Sequence, residues 1–100
     1  MSTTVTIYGT IGKDGSRISG SGFESSKQES GQFLIDFDQK FKDIPAIVGS
    51  QTGWGNLDQN PLDNVVFPFL TTSSATALTG SSNGGHSSRQ FSFIATGEVD

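Results

Sequence analysis

Residues 31–51, GQFLIDFDQKFKDIPAIVGSQ, constrain the fold more than any other stretch of the chain. After Gly31 the sequence alternates. Phe33, Ile35 and Phe37 fall on one side of an extended segment, and Gln32, Asp36 and Asp38 on the other, with Leu34 the one apolar exception. A period of two marks a strand with one face on a core. Phe41 follows a polar link. Pro45 then opens a second apolar run, Ala46-Ile47-Val48, and proline is tolerated at the first residue of a strand. The stretch therefore predicts two strands joined by about six residues, an ordinary length for a compact domain.

The rest of the chain reads the same way. Residues 3–11 alternate Val5 and Ile7 with Thr4, Thr6 and Tyr8 and predict a first strand. Lys13-Asp14-Gly15-Ser16 is a turn, with Gly15 free to take a positive φ. Residues 17–26 predict a second, weaker strand carrying Ile18 and Phe23, in which Gly20 and Gly22 mark a bend, a bulge or a close backbone approach. Residues 27–30 are polar and predict the next turn. Residues 52–64, TGWGNLDQNPLDN, form the longest irregular stretch, and long loops in small domains usually carry function.

Residues 65–70 are apolar on both parities, with Val65, Phe67 and Phe69 on one and Val66 and Leu70 on the other. One side is expected on the core and the other against a partner subunit. Pro68 lacks an N–H and places this strand at an edge or a bulge. Residues 74–79 give a short strand, residues 80–88 a flexible turn, and residues 89–97 a last strand with Phe91, Phe93 and Ala95 inward and Ile94 outward. The acidic tail Glu98-Val99-Asp100 is expected to fray. No segment has helical periodicity. The fold class is therefore all-β: a small antiparallel β-sandwich or barrel of about six or seven strands.

One hundred residues make one domain, 1–100, with a core small enough that an oligomer would add burial. Hydrophobic content is only 32%, yet eight Phe residues fall on strand-like positions, which favours a thin aromatic core over disorder. The chain has no cysteine, so disulfides, thiol catalysis and Cys-based zinc sites are excluded. Its net charge is −4 and its six basic residues are dispersed, which argues against nucleic-acid binding. The N-terminus lacks the basic and apolar regions of a signal peptide. No apolar run is long enough to span a bilayer as a helix. The expectation is a soluble protein without membrane insertion, its compartment unspecified.

Three segments carry a resemblance. They are Gly9-Thr10 through Lys13-Asp14-Gly15-Ser16 to Gly20-Ser21-Gly22-Phe23; Gly31-Gln32-Phe33-Leu34-Ile35-Asp36-Phe37 with Phe41 and Ile44-Pro45-Ala46-Ile47-Val48; and Arg89-Gln90-Phe91-Ser92-Phe93-Ile94-Ala95-Thr96-Gly97. Their order and spacing resemble the small β-sandwich modules at the C-termini of phage tail fibres and bacterial surface proteins, and also H-type lectin domains. The resemblance covers most of the chain but is thin in the long loop. It implies a six- or seven-stranded sandwich assembled as a homotrimer. In H-type lectins it further implies binding of GalNAc or galactose near subunit boundaries, through polar residues and a Trp–His pair close to the last strand. Here the sole Trp is Trp54, in the central loop, and the sole His is His86, so that sugar site does not transfer residue by residue.

Candidate ligand groups come from the residues themselves. Trp54 sits between Gly53 and Gly55, and an indole face stacks on the apolar face of a sugar. The alternative is that it folds back as a lid over the end of the sandwich. Asn56, Asp58 and Asp63 supply oxygens to orient hydroxyls, as do Asn60 and Asn64. The same spacing admits calcium, but loop-forming Asn and Asp account for it more simply, and no metal or other cofactor is expected. His86, between Gly84-Gly85 and Ser87-Ser88, is a sugar hydrogen-bond donor, a trimer-axis residue, a metal ligand shared by symmetry, or an exposed loop residue. Arg89 suits a carboxylate across a subunit boundary or a ligand hydroxyl.

Nothing points to catalysis. Asp36 and Asp38 share one solvated strand face, no G-x-S-x-G elbow exists, and there is no P-loop or dinucleotide fingerprint. The expected function is a non-enzymatic, multivalent lectin, its sugar site formed by Trp54, Asn56, Asp58, Asp63, His86 and Arg89, with glycans and copies of itself as partners. The alternative is a trimerisation or receptor-binding tip module of a phage tail fibre or surface appendage, with Leu34, Val66, Leu70 and Ile94 as the subunit interface. A chain beginning with its own Met and lacking a stalk favours the free-standing lectin on sequence grounds.

Overall fold

The computed structural model describes residues 2–100. It contains eight strands and, among the described residues, no helix. They are β1 (Thr3–Ile11), β2 (Arg17–Ser21), β3 (Phe23–Glu29), β4 (Gln32–Phe37), β5 (Ala46–Gln51), β6 (Asn64–Leu70), β7 (Ser74–Gly80) and β8 (Phe91–Val99). They form two four-stranded sheets, in the orders β2-β1-β8-β5 and β3-β4-β7-β6. Every pairing is antiparallel.

The strand count exceeds the sequence expectation because residues 17–26 form two strands. β2 pairs with β1 in the first sheet, and β3 pairs with β4 in the second. The chain crosses between sheets at Gly22. Gly20 and Gly22 both take positive φ, 95° and 91°, where a side chain is strained. A Cβ on Gly20 would also collide with the Tyr8 carbonyl oxygen. The replacement Gly20→Ala is therefore expected to cost roughly 1–3 kcal/mol, read as a lower midpoint in urea denaturation.

The alternation read from residues 32–37 is realised. Phe33, Ile35 and Phe37 are buried. So are Phe91, Phe93, Ala95 and Val99 of β8, Ile7 and Ile11 of β1, Phe23, Val65, Ala75 and Ala77. The sheets are joined by rings. Phe23 of β3 meets Phe93 of β8 edge-on at 5.0 Å, and Phe33 of β4 meets Phe91 of β8 at 5.3 Å. Alanines on β7 and β8 leave the room those rings fill, which is how a core poor in aliphatic residues reaches native packing density.

Four local expectations are corrected. The link between the two strands of residues 31–51 is eight residues long rather than about six, since β4 and β5 lie in opposite sheets. Their link, residues 38–45, crosses the end of the sandwich. It is pinned there by Phe41 N–H donating to the Thr72 carbonyl, Lys42 N–H to the Glu98 carbonyl, and the buried Phe41 ring against Phe37. β3 runs on through residues expected to turn, to Glu29. The C-terminal tail does not fray: Val99 is buried and pairs with Thr3. In β6 the register shifts between Val66 and Phe69, around Pro68, which has no N–H to give the ladder. That bulge inverts the parity. Phe69 turns outward, 68% exposed, and Leu70 packs on the core. Leu70 is thus removed from the expected outward interface.

Candidate ligand-binding site

The site forms at one end of the first sheet. Ile11 of β1 and Gln51 of β5 both register with Phe91 of β8. Three connections therefore leave the sheet side by side: the 12–16 turn, the limb that follows Gln51, and residues 87–90 leading into β8. Together they line an open cleft of about 950 Å³, with Ile18 of β2 completing its wall.

Backbone constraints place the tryptophan. Gly53 and Gly55 take φ values of 72° and 102°, both in the left-handed region, so glycine is needed on either side of Trp54. A Cβ on Gly53 would collide with the Gln90 side chain. Beyond Trp54 the asparagines shape the loop. Asn56 Oδ1 accepts from the Asp58 N–H at 2.8 Å, and Asn60 Oδ1 from the Leu62 N–H at 2.9 Å. These are Asx turns, in which a side-chain oxygen replaces a backbone acceptor.

Arg89 is the hub. Its NH1 donates to Asp63 Oδ2 at 3.1 Å and to Gln51 Oε1 at 3.5 Å, and its Nε donates to Ser87 Oγ at 3.3 Å. Its guanidinium carbon lies 4.6 Å from the centre of the Trp54 ring, within cation–π range. Gln51 is fixed in turn: its Nε2 donates to the carbonyls of Asn64 and Gly80, and its Oε1 accepts from Gln59 Nε2. The Asp63 and Arg89 side chains are 6% and 16% exposed. The pair is therefore better shielded than a surface ion pair, and removing one partner would strand the other's charge.

Asp14, on the facing turn, is exposed. The Ser16 hydroxyl and backbone N–H both donate to its carboxylate and hold its pKa below the ordinary value.

Of the residues singled out in the sequence, Trp54, Asn56, Asp58 and Arg89 line the cleft. Asp63 sits behind Arg89, its carboxylate occupied by the guanidinium. His86 lies outside the cleft. It is exposed on the connection that carries the chain from β7 to β8 in the opposite sheet, in a bridge with Gly80. Trp54 is 44% exposed, standing against Arg89 rather than closing over the core as a lid. Sequence reading missed Gln51, Gln59, Ser87, Ser88, Gln90 and the Lys13-Asp14 turn as lining residues. The signal that finds them is strand order, which brings β1, β8 and β5 together at this end.

No protein-family model matches the chain, and no curated protein matches it in sequence. Solved structures do match in fold. The C-terminal region of the Pseudomonas aeruginosa R2 pyocin fibre aligns with 94% of this chain at a TM-score of 0.56 and 14% identity. A second R2-type pyocin tail fibre structure aligns with 75% of the chain at a TM-score of 0.51 and 17% identity. The tailspike protein gp49 from Pseudomonas phage LKA1 aligns with 96% at a TM-score of 0.52 and 14% identity. The chain spans only 21%, 28% and 15% of those structures. These matches fall on the tail-fibre side of the resemblance and not on its H-type lectin side. What this chain shares with the fibre and tailspike chains is the fold of a β-sandwich that makes up a fraction of their length.

Proposed function

We propose that the chain is a non-enzymatic, receptor-binding module of a phage-type tail fibre or related appendage, whose cleft engages carbohydrate on a target surface. The observation that carries this reading is Trp54. It is held by two left-handed glycines and an arginine, yet keeps 44% of its surface exposed at the mouth of an open cleft. An aromatic face flanked by amides, hydroxyls and carboxylates matches the two sides of a sugar, one apolar and one hydroxylated. The fold similarity to fibre and tailspike chains supports the appendage context over a free-standing lectin. In this reading the site is Trp54, Asn56, Asp58 and Arg89; His86, outside the cleft, is left out of it, and Asp63 acts through Arg89.

Such a site would bind weakly and work by multivalency. Several copies on one face multiply avidity by about 10²–10⁴ where the target spacing permits. Two outer surfaces are suited to bring copies together. On the first sheet, Tyr8, Ile94 and Val48 sit in one cross-strand row, all exposed. On the second, Leu34, Leu78, Val66 and Phe69 line neighbouring rows. Leu34 and Ile94, expected to share an interface, lie on opposite sides of the sandwich. Two different faces meeting head to tail close a ring where the rotation between copies is cyclic and otherwise build a filament, and a homotrimer is the smallest such ring. Ile94→Glu and Val66→Glu should each give monomers in sedimentation velocity, because each face is needed at every contact. An undisturbed oligomer in either variant would exclude that face.

The test of function is a glycan array probed with the labelled protein, with calcium and with chelator. Binding clustered on one terminal sugar supports the receptor-binding reading. A blank array from a verified oligomer leaves a purely structural module. Loss of binding in chelator would revive the calcium reading of the 56–63 loop.

A further inference from the structure

The charge arrangement in the cleft bears on which carbohydrates it accepts, a question that rests on the carbohydrate-binding function proposed for it. An arginine in a cleft ordinarily reads as an anchor for carboxylate or phosphate, through two parallel N–H donors. Arg89 is not free for that two-donor role. Its NH1 donates to Asp63 and Gln51 and its Nε to Ser87, so either pairing of NH2 with a neighbouring donor meets an occupied group and only NH2 stays open to single contacts, with the Trp54 ring centre 4.6 Å from the guanidinium carbon. A carboxylate taking NH1 and NH2 together would have to displace Asp63, whose side chain is 6% exposed. That would leave a buried carboxylate without its partner.

The other basic group, Lys13, stands next to Asp14, and Asp58 adds a second exposed carboxylate to the lining. Asp14 stays ionised, because Ser16 stabilises its charged form. The lining carries two carboxylates, Asp14 and Asp58, and two cations, Lys13 and Arg89; Asp63 behind Arg89 offsets its charge, which leaves the local balance acidic, on a chain of net charge −4. Carboxylates are strong acceptors for hydroxyl protons and repel acids.

We infer that the cleft takes neutral, polyhydroxylated sugars and rejects acidic ones, with the Asp63–Arg89 pair as the specificity determinant. Arg89 serves as the platform for Trp54, and Asp63 keeps that platform from acting as an anion receptor.

The test uses matched oligosaccharides, one neutral and one with the same core capped by a carboxylate-bearing sugar, titrated calorimetrically at low and physiological salt. The wild-type protein is expected to bind the neutral member more tightly by about threefold to tenfold, with a smaller gap at higher salt. Asp63→Asn, checked for folding by thermal melt, should shift that ratio toward the acidic member by about tenfold, since it frees a guanidinium for charge-assisted bonding. Asp58→Asn touches no buried group and gives a second reading if Asp63→Asn fails to fold. It should narrow the gap by about threefold. Tighter wild-type binding of the acidic member, or an unchanged ratio in both variants, overturns the inference and leaves the carbohydrate proposal standing. Failure to bind any glycan sinks that proposal and the inference with it.

Discussion

Replacing Trp54 by Ala is expected to abolish detectable glycan binding while the sandwich stays folded. The two halves of that outcome have separate causes. Trp54 belongs to no strand and is absent from the buried core, so truncating it opens no cavity between the sheets. The structural loss is confined to its contact with Arg89, about 0.5–1 kcal/mol at an exposed site. The binding loss is larger. An aromatic anchor of a small site typically carries about 2 kcal/mol or more, which is on the order of 30-fold in a single-site dissociation constant. A site that starts near the millimolar-to-micromolar range falls below detection, and avidity falls faster because each copy loses the same factor. The variant is to be compared with wild type on the array and by thermal melt. Unchanged binding with an unchanged melt would remove Trp54 from the site.

Strand periodicity was legible where one face met the core and no bulge intervened. Phe33, Ile35 and Phe37, and Phe91, Phe93 and Ala95, each sit on their expected side because a two-residue period admits only two registers. Sheet membership was not legible. Nothing local distinguishes a glycine that bends a strand from one, like Gly22, that carries the chain into the opposite sheet, since both need only a positive φ. Pro68 announced an edge or bulge and both are present. The resulting exchange of Phe69 and Leu70 depends on where the extra residue falls, and proline does not encode that.

The site followed the same division. Trp54 and Arg89 stand out by residue type, and their contact adds geometry to that signal. Gln51, Gln59 and Gln90 carry no signal in sequence and are recruited only because three connections leave one sheet end together. Asp63 reads as a ligand group in sequence, but its low exposure and its partner make it a positioning residue.

The core itself makes the sharpest test of the fold. Phe33→Ala is expected to destabilise the protein by about 3–5 kcal/mol, whereas Phe69→Ala should cost no more than about 0.5 kcal/mol in the isolated subunit. The residue type is identical and the positions differ only in which face the backbone presents. Phe33 is fully buried on the central strand β4 and packs against Phe91 of the opposite sheet at 5.3 Å. Removing its ring empties the junction between the sheets, and neighbouring alanines are too small to fill it. A domain of this size holds about 5–15 kcal/mol of net stability, so the single change removes a large share. Phe69 lies outside the bulge and 68% exposed. Its truncation leaves the core intact, and any cost it carries belongs to contacts between copies. Urea denaturation across a range of protein concentrations separates the two, because a loss at an interface varies with concentration and a loss in the core of a subunit does not. Equal, concentration-independent losses in both variants would mean that Phe69 points inward and that the bulge at Pro68 is misplaced.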